Sequence, residues 1–250
     1  MDRSVGVSRE EELARVNGTF YEQLWSDLRL VSPERFSTWP LMQLLAATST
    51  HRLEIAPGLR PRLPIAGTQF VDISPAALKA IAARGGRATR ASILSLPFHD
   101  GAFDLVAVLD IIEHVDDDDR ALAEICRVAA PGATVLIATP LHPDRWNGFD
   151  TLVGHCRRYE PADLQRKLVR HGLAIERSAA YGMQPRSSKL LDFAMWFFKH
   201  RRRKAMWVYN HVVMPIGMQL ERRKTLELRD GLIDVDSVDE ILLVCRKKKP

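Results

Sequence analysis

Two carboxylates and a glycine carry the chemistry in the stretch 51–74, HRLEIAPGLRPRLPIAGTQFVDIS. An apolar run ends on Glu54 and breaks at Pro57-Gly58, and a second apolar run closes on Asp72. Strand, glycine turn, strand and closing acid is how a doubly wound α/β fold holds an adenosine-containing cofactor. The glycine lets the backbone approach the ligand, and the second acid accepts from the ribose hydroxyls. Taken alone the turn is a weak sign, because EIAPGLR has Ala56 and Arg60 where a dinucleotide fingerprint has glycines. The plainer roles are a solvated strand-end acid for Glu54 and a helix cap at Pro75 for Asp72.

The elements that would position these residues alternate along the chain. Strands are expected at 52–56, 68–73, 88–94, 103–109, 133–138, 173–178 and 241–245. Helices are expected over 75–83, from the aspartates Asp116–Asp119 to Val128, and from Pro161 to Gly172. Only residues 57–67, with Pro61 and Pro64 among them, join the first two strands. A parallel crossover needs roughly 10–12 residues and usually a helix, so that helix must be nearly absent. The four aspartates read as N-cap and dipole partners and not as metal ligands, since consecutive residues on one turn point in different directions; no metal site is expected.

The fold class expected is α/β, a doubly wound, mostly parallel seven-stranded sheet. An N-terminal helical cap (1–50) precedes a core (51–183), a helical insertion (184–236) and a last strand with a basic tail (237–250). In the cap, residues 10–47 are amphipathic, Ser32-Pro33-Glu34 reads as the start of a second helix, and Tyr21 could cover a ligand or be buried in the core. The ligand crevice should open at the carboxyl ends of strands 1, 2 and 4.

Composition narrows the class further. With 46% hydrophobic and 27% charged residues the chain is globular and neither fibrous nor disordered. Three widely spaced cysteines do not make a disulfide framework, and MDRSVGVSREEELARV lacks the apolar core of a signal peptide. A cytoplasmic location, with membrane association as a variant of it, is the expectation. The net charge of +5 is uneven: ten Lys/Arg against Asp192 and Glu221 fall within 186–224, leaving the remainder acidic. Basic character confined to one insertion argues against a nucleic-acid partner.

A set of downstream motifs is more specific. Ser95-Leu96-Pro97-Phe98 is followed by DGAFDLVAVLDIIEHV, RALAEICRVAAPGATVLIATP and TPLHPDRWNGFDTLVGHCRRYEPADL. In this order they resemble the class I S-adenosylmethionine-dependent methyltransferases, over roughly residues 53–181. The resemblance implies S-adenosylmethionine as cofactor. Glu54 and the turn Ala56–Gly58 would face its methionine moiety, Asp72 would accept both ribose hydroxyls, and Ile73 would lie against the adenine. Ser92 and Ile93 stand where an aspartate contacts the adenine amino group in this family. Leu109 and Asp110 would line the methyl end.

Methyl transfer from a sulfonium is an in-line displacement that needs positioning and exclusion of water. A base is needed only when the acceptor must lose a proton. His155 is the first candidate, because histidine titrates near neutrality; Tyr159, His142 and Asp150 follow, with Arg157 and Arg158 able to hold an anionic group. The alternative is that GHCRRY pins a loop to the sheet and that Glu113-His114 shapes a pocket wall. The insertion, LLDFAMWFF-KHRRRK-AMWVYNHVVMPIGMQL-ERRK, suits a lid over a greasy substrate or an interface in a homodimer, then peripheral contact with anionic membrane. The expected activity is methylation of a small-molecule or lipid-like acceptor at oxygen or carbon. The rivals are a non-catalytic methyltransferase-like binding or assembly protein and a NAD(P)-dependent oxidoreductase.

Overall fold

A computed structural model describes residues 30–182, 196–197, 200–221 and 224–249. Its sheet contains β1 (Arg52–Ile55), β2 (Thr68–Asp72), β3 (Arg87–Arg90), β4 (Phe103–Leu109), β5 (Ala129–Pro140), β6 (Leu173–Ala180), β7 (Arg229–Asp230) and β8 (Glu240–Lys247). The order is β3-β2-β1-β4-β5-β8-β6-β7. β3, β2, β1, β4 and β5 run parallel, while β8 lies antiparallel between β5 and β6. The order reverses between β1 and β4, which is where a doubly wound sheet opens a crevice.

The expected α/β class is correct, but the strand count of seven is corrected to eight. The added strand, β7, pairs Arg229 and Asp230 with Ser178 and Arg177, inside the stretch read as a purely helical insertion. Two polar residues have no periodicity to betray them. The third strand is also shorter than expected. It ends at Arg90, after which Ser92 Oγ accepts from the Leu94 amide at 3.2 Å and Ser92 bridges to Ser95. That turn drives Ile93 and Leu94 into the core.

β4, FDLVAVL, is buried on both faces, as an uninterrupted apolar run in a central parallel strand should be. Val106 and Val108 face a core shared with Ala121, Leu122 and Ile125. Leu105 and Ala107 face the opposite layer with Leu41, Met42, Leu136 and Leu242. Helices cover both faces: α1 (Trp39–Ala47), α2 (Pro75–Ala82), α3 (Asp118–Val128), α4 (Gly148–Val153) and α5 (Pro161–Arg170). Ser74 caps α2 through the Ala77 amide, and Asp117 caps α3 through the Arg120 amide at 2.9 Å. The aspartates thus cap as expected, with Asp118 and Asp119 also pairing with Lys167.

Ser32-Pro33-Glu34 opens only a 3-10 turn, Pro33–Arg35, and not a helix. The Ser32 hydroxyl goes to the Glu34 carboxylate instead of an amide, and α1 begins after Thr38 with Pro40 in its first turn. The amphipathic stretch before it, with Tyr21, lies outside the described residues. In the insertion, α6 (Arg202–Val208), a π-helical segment (Tyr209–Val213) and α7 (Met214–Glu221) follow one another. Met218 packs on Phe36. Among the described residues no helix is long and apolar enough to cross a membrane.

Candidate cofactor and acceptor site

The crossover from β1 to β2 contains no helix, so its amides need other acceptors. Two strand-end acids supply them. Glu54, 2% exposed, accepts the Arg62 amide on one carboxylate oxygen and the Leu63 amide on the other, both at 2.8 Å. Asp72, 3% exposed, accepts the Gly58 amide at 2.9 Å and the Ser74 amide at 2.8 Å, again one per oxygen. Gly58 and Asp72 therefore meet across the carboxyl ends of β1 and β2. Neither acid is a solvated strand end. Burial pushes Glu54 up to about 7 against the pull of the Leu63 and Arg62 amides. Burial raises Asp72 as well, opposed by Ser74 and Gly58.

Ala56, Asp110 and His142 are non-glycine residues with positive φ, at 52°, 57° and 62°. They follow the carboxyl ends of the parallel strands β1, β4 and β5, at one end of the sheet. Side chains rarely adopt this conformation without a reason in the surrounding structure. Ala56 adopts it where the usual fingerprint has glycine, so the backbone shape survives the substitution. Its amide donates to the Val71 carbonyl at 2.6 Å.

Between these strand ends lies a buried charge cluster. Arg62, 8% exposed, donates to the Tyr181 hydroxyl at 2.9 Å and lies 3.5 Å above the Phe36 ring. Its Nε and Nη1 are buried without a hydrogen-bond partner, as is Asp110 Oδ1. Asp110 is hydrogen-bonded to Glu240. Burial, and after it the Asp110 charge, holds Glu113 and Glu240 well above the usual carboxylate range. Carboxyl groups outnumber the guanidinium here, and burial favours their neutral form.

The proton-handling candidates separate. Tyr159 is 5% exposed and gives its hydroxyl to Asp118 Oδ2 at 2.7 Å; burial and Asp118 push its pKa up. His142 bonds the Val235 carbonyl through Nε2 at 2.9 Å and the Tyr159 carbonyl through its amide. Both thereby help to hold the loop after β5 in place. His155 differs. Its Nδ1 meets Asp150 Oδ1 at 2.8 Å, and its Nε2 points toward Glu113 Oε1 at 3.9 Å. Asp150 also completes the Asn147 capping box of α4 and pairs with Arg158 at 2.9 Å. Burial and the neighbouring His155 push His114 down to about 3.

Of the other expected cofactor contacts, Ile73 is 43% exposed beside Asp72, Ile93 is packed in the core, and Ser92 spends its hydroxyl on its own turn. Leu109 sits partly buried against the second core layer, next to Asp110. Sequence reasoning did not find Arg62, Tyr181 and Glu240. An arginine inside the apolar LRPRL run was the one available signal.

The sheet order, with β8 antiparallel between β5 and β6, and the acids closing β1 and β2 are those of a Rossmann-like methyltransferase fold, from which the helixless first crossover departs. Residues 62–137 match the family described as "Methyltransferase domain", one of S-adenosylmethionine-dependent enzymes. The chain is 39% identical over 82 residues to ajmaline N-methyltransferase of Rauvolfia serpentina, covering 30% of this chain and 28% of that protein. It is 41% identical over 68 residues to a probable chloroplastic tocopherol O-methyltransferase of Oryza sativa subsp. japonica, covering 25% of this chain and 19% of that protein. The chain thus spans under a third of the length of these curated relatives. A Thermotoga maritima structure described as an S-adenosylmethionine-dependent methyltransferase and possible histamine N-methyltransferase shares the fold. Its TM-score is 0.58 at 14% identity, over 95% of this chain and 99% of that one.

Proposed function

We propose that this chain transfers a methyl group from S-adenosylmethionine to a small-molecule or lipid-like acceptor, at oxygen or carbon. The observation that carries the reading is the Gly58–Asp72 bond at the ends of adjacent parallel strands. Asp72 accepts the Gly58 and Ser74 amides on separate oxygens, with the Ile73 amide also bonded to it, and its remaining acceptor capacity would serve a ribose hydroxyl. Burial holds the acids beyond Glu54, at Asp110, Glu113 and Glu240, toward the neutral form, and a positive sulfonium beside them would draw them to ionise and be stabilised in turn. The acceptor would enter from the side of Asp110, Glu113 and His155. The insertion would act as a lid, in support of which the Tyr209 hydroxyl accepts from Arg60 at 3.1 Å, beside the first crossover. A second reading, methylation at nitrogen, is favoured by the same acids, which would hold an amine as readily.

Calorimetric titration with S-adenosylhomocysteine should show stoichiometric binding, and nicotinamide dinucleotide should show none. The opposite pattern would make the chain an oxidoreductase. Asp72→Ala should weaken S-adenosylhomocysteine binding at least about tenfold, on the scale of a lost charged hydrogen bond. Unchanged affinity would take Asp72 out of the site. Binding of S-adenosylhomocysteine without methyl transfer to any phenol, alcohol or amine would favour the non-catalytic rival.

A further inference from the structure

We propose that Glu113, His114 and His155 form a site for one divalent first-row transition cation. One ligating atom from each lies within 4.8 Å of the other two. Cation–nitrogen and cation–oxygen bonds of about 2.0–2.2 Å would draw such atoms together by roughly an ångström, a side-chain adjustment.

The hydrogen bonds behind the histidines prepare both rings. His155 Nδ1 faces Asp150 Oδ1 at 2.8 Å, and His114 Nδ1 faces the Gly154 carbonyl at 3.2 Å. A carbonyl only accepts and Asp150 is an ionised partner of Arg158, so each Nδ1 donates, and Nε2 is the atom each ring would turn to a cation. Ligating histidines are oriented in this way by a carboxylate or carbonyl behind the ring. The rings stand edge to face with centroids 4.6 Å apart. Glu113 Oε1 is 3.9 Å from His155 Nε2, while Glu113 Oε2 is anchored by the Thr139 hydroxyl at 3.2 Å.

An independent sign comes from Asp110. Its Oδ1 is buried without a hydrogen-bond partner, and its charge bears on both His155 and Glu113. A buried carboxylate oxygen without a donor is costly, and a cation would satisfy it. Two imidazoles with one carboxylate select zinc, manganese, iron or cobalt over magnesium or calcium, which take all-oxygen shells.

The use of the site rests on the preceding reading; its existence does not. A cation here would bind an acceptor hydroxyl and lower its pKa, so that the proton leaves to solvent. The oxygen would then form its bond to the methyl carbon as the carbon–sulfur bond breaks, releasing S-adenosylhomocysteine. Metal and nucleoside binding are therefore measured separately. The full chain, stripped with EDTA, is titrated with Co(II) and Zn(II), and with Mg(II) as control. Expected are one equivalent of Co(II) with visible absorption bands and at least tenfold weaker Co(II) and Zn(II) binding in Glu113→Gln and His114→Gln. In Glu113→Gln the side-chain amide oxygen can still accept from Thr139, and an unchanged far-ultraviolet circular dichroism spectrum confirms that both variants are folded. No stoichiometric binding, or wild-type metal affinity in both variants, would overturn the proposal. Metal binding without nucleoside binding would leave the site standing and remove the methyl-transfer reading.

Discussion

Arg62→Met is expected to lower the free energy of unfolding by about 3–5 kcal/mol, the range for removing one member of a buried ionic group. Arg62 is the cation facing Asp110, Glu54 and the Tyr181 hydroxyl. Methionine preserves much of the side-chain volume over Phe36 but leaves those acids without a counter-charge. Arg62→Lys should recover part of the loss, because the charge returns while the flat guanidinium that stacks on the ring and reaches Tyr181 does not. Urea denaturation measures both variants. The loss should be smaller near pH 5 than at pH 8, since the stranded acids can then take up protons. A methionine variant as stable as the parent at pH 8 would show that the cluster neutralises itself.

Stability itself should fall as pH rises toward neutrality. Glu54 is raised from 4.5 to about 7 in the folded chain. Between those values the folded state holds a proton that the unfolded state has released, so the unfolded state binds fewer protons and unfolding becomes easier with each step up in pH. Over the whole window the effect is on the order of 3 kcal/mol, and it is flat above pH 7. Asp72, Asp110, Glu113 and Glu240 are shifted in the same direction. Asp150 is shifted the opposite way: burial would raise it, but His155 and Arg158 outweigh burial. Its contribution is present above its unfolded pKa and is lost only as the solution becomes strongly acidic. Maximal stability is therefore expected near pH 5. Urea midpoints at pH 5.5, 6.5 and 8 check this, and Glu54→Gln should flatten the slope. A chain more stable at pH 8 than at pH 5.5 contradicts the assignment.

The alternating apolar runs from 52 to 138 made the parallel sheet legible, because burial on both faces of a central strand leaves a continuous hydrophobic signature. The Gly58–Asp72 pairing was legible too, since turn chemistry and a closing acid are local. What lay hidden depends on distance in sequence. Arg62 meets Tyr181 and Glu240 meets Asp110 only after the sheet has assembled, and no spacing rule connects them. The hydrogen bonds of Tyr159 to Asp118 and of His142 to Val235 were hidden for the complementary reason: titratable side chains near a strand end look the same in sequence whatever partner they meet. β7 escaped because two exposed residues paired at an edge have no pattern of their own.

Ala56, Asp110 and His142 have a last consequence. Each keeps a Cβ in a backbone basin that glycine would occupy with less strain and more latitude. A glycine rim would wander, and a guest would have to still it on arrival. Here the stilling happens during folding, at a cost of about 1–3 kcal/mol per residue, so a visiting molecule finds three strand tips already at rest and spends less of its affinity on ordering them.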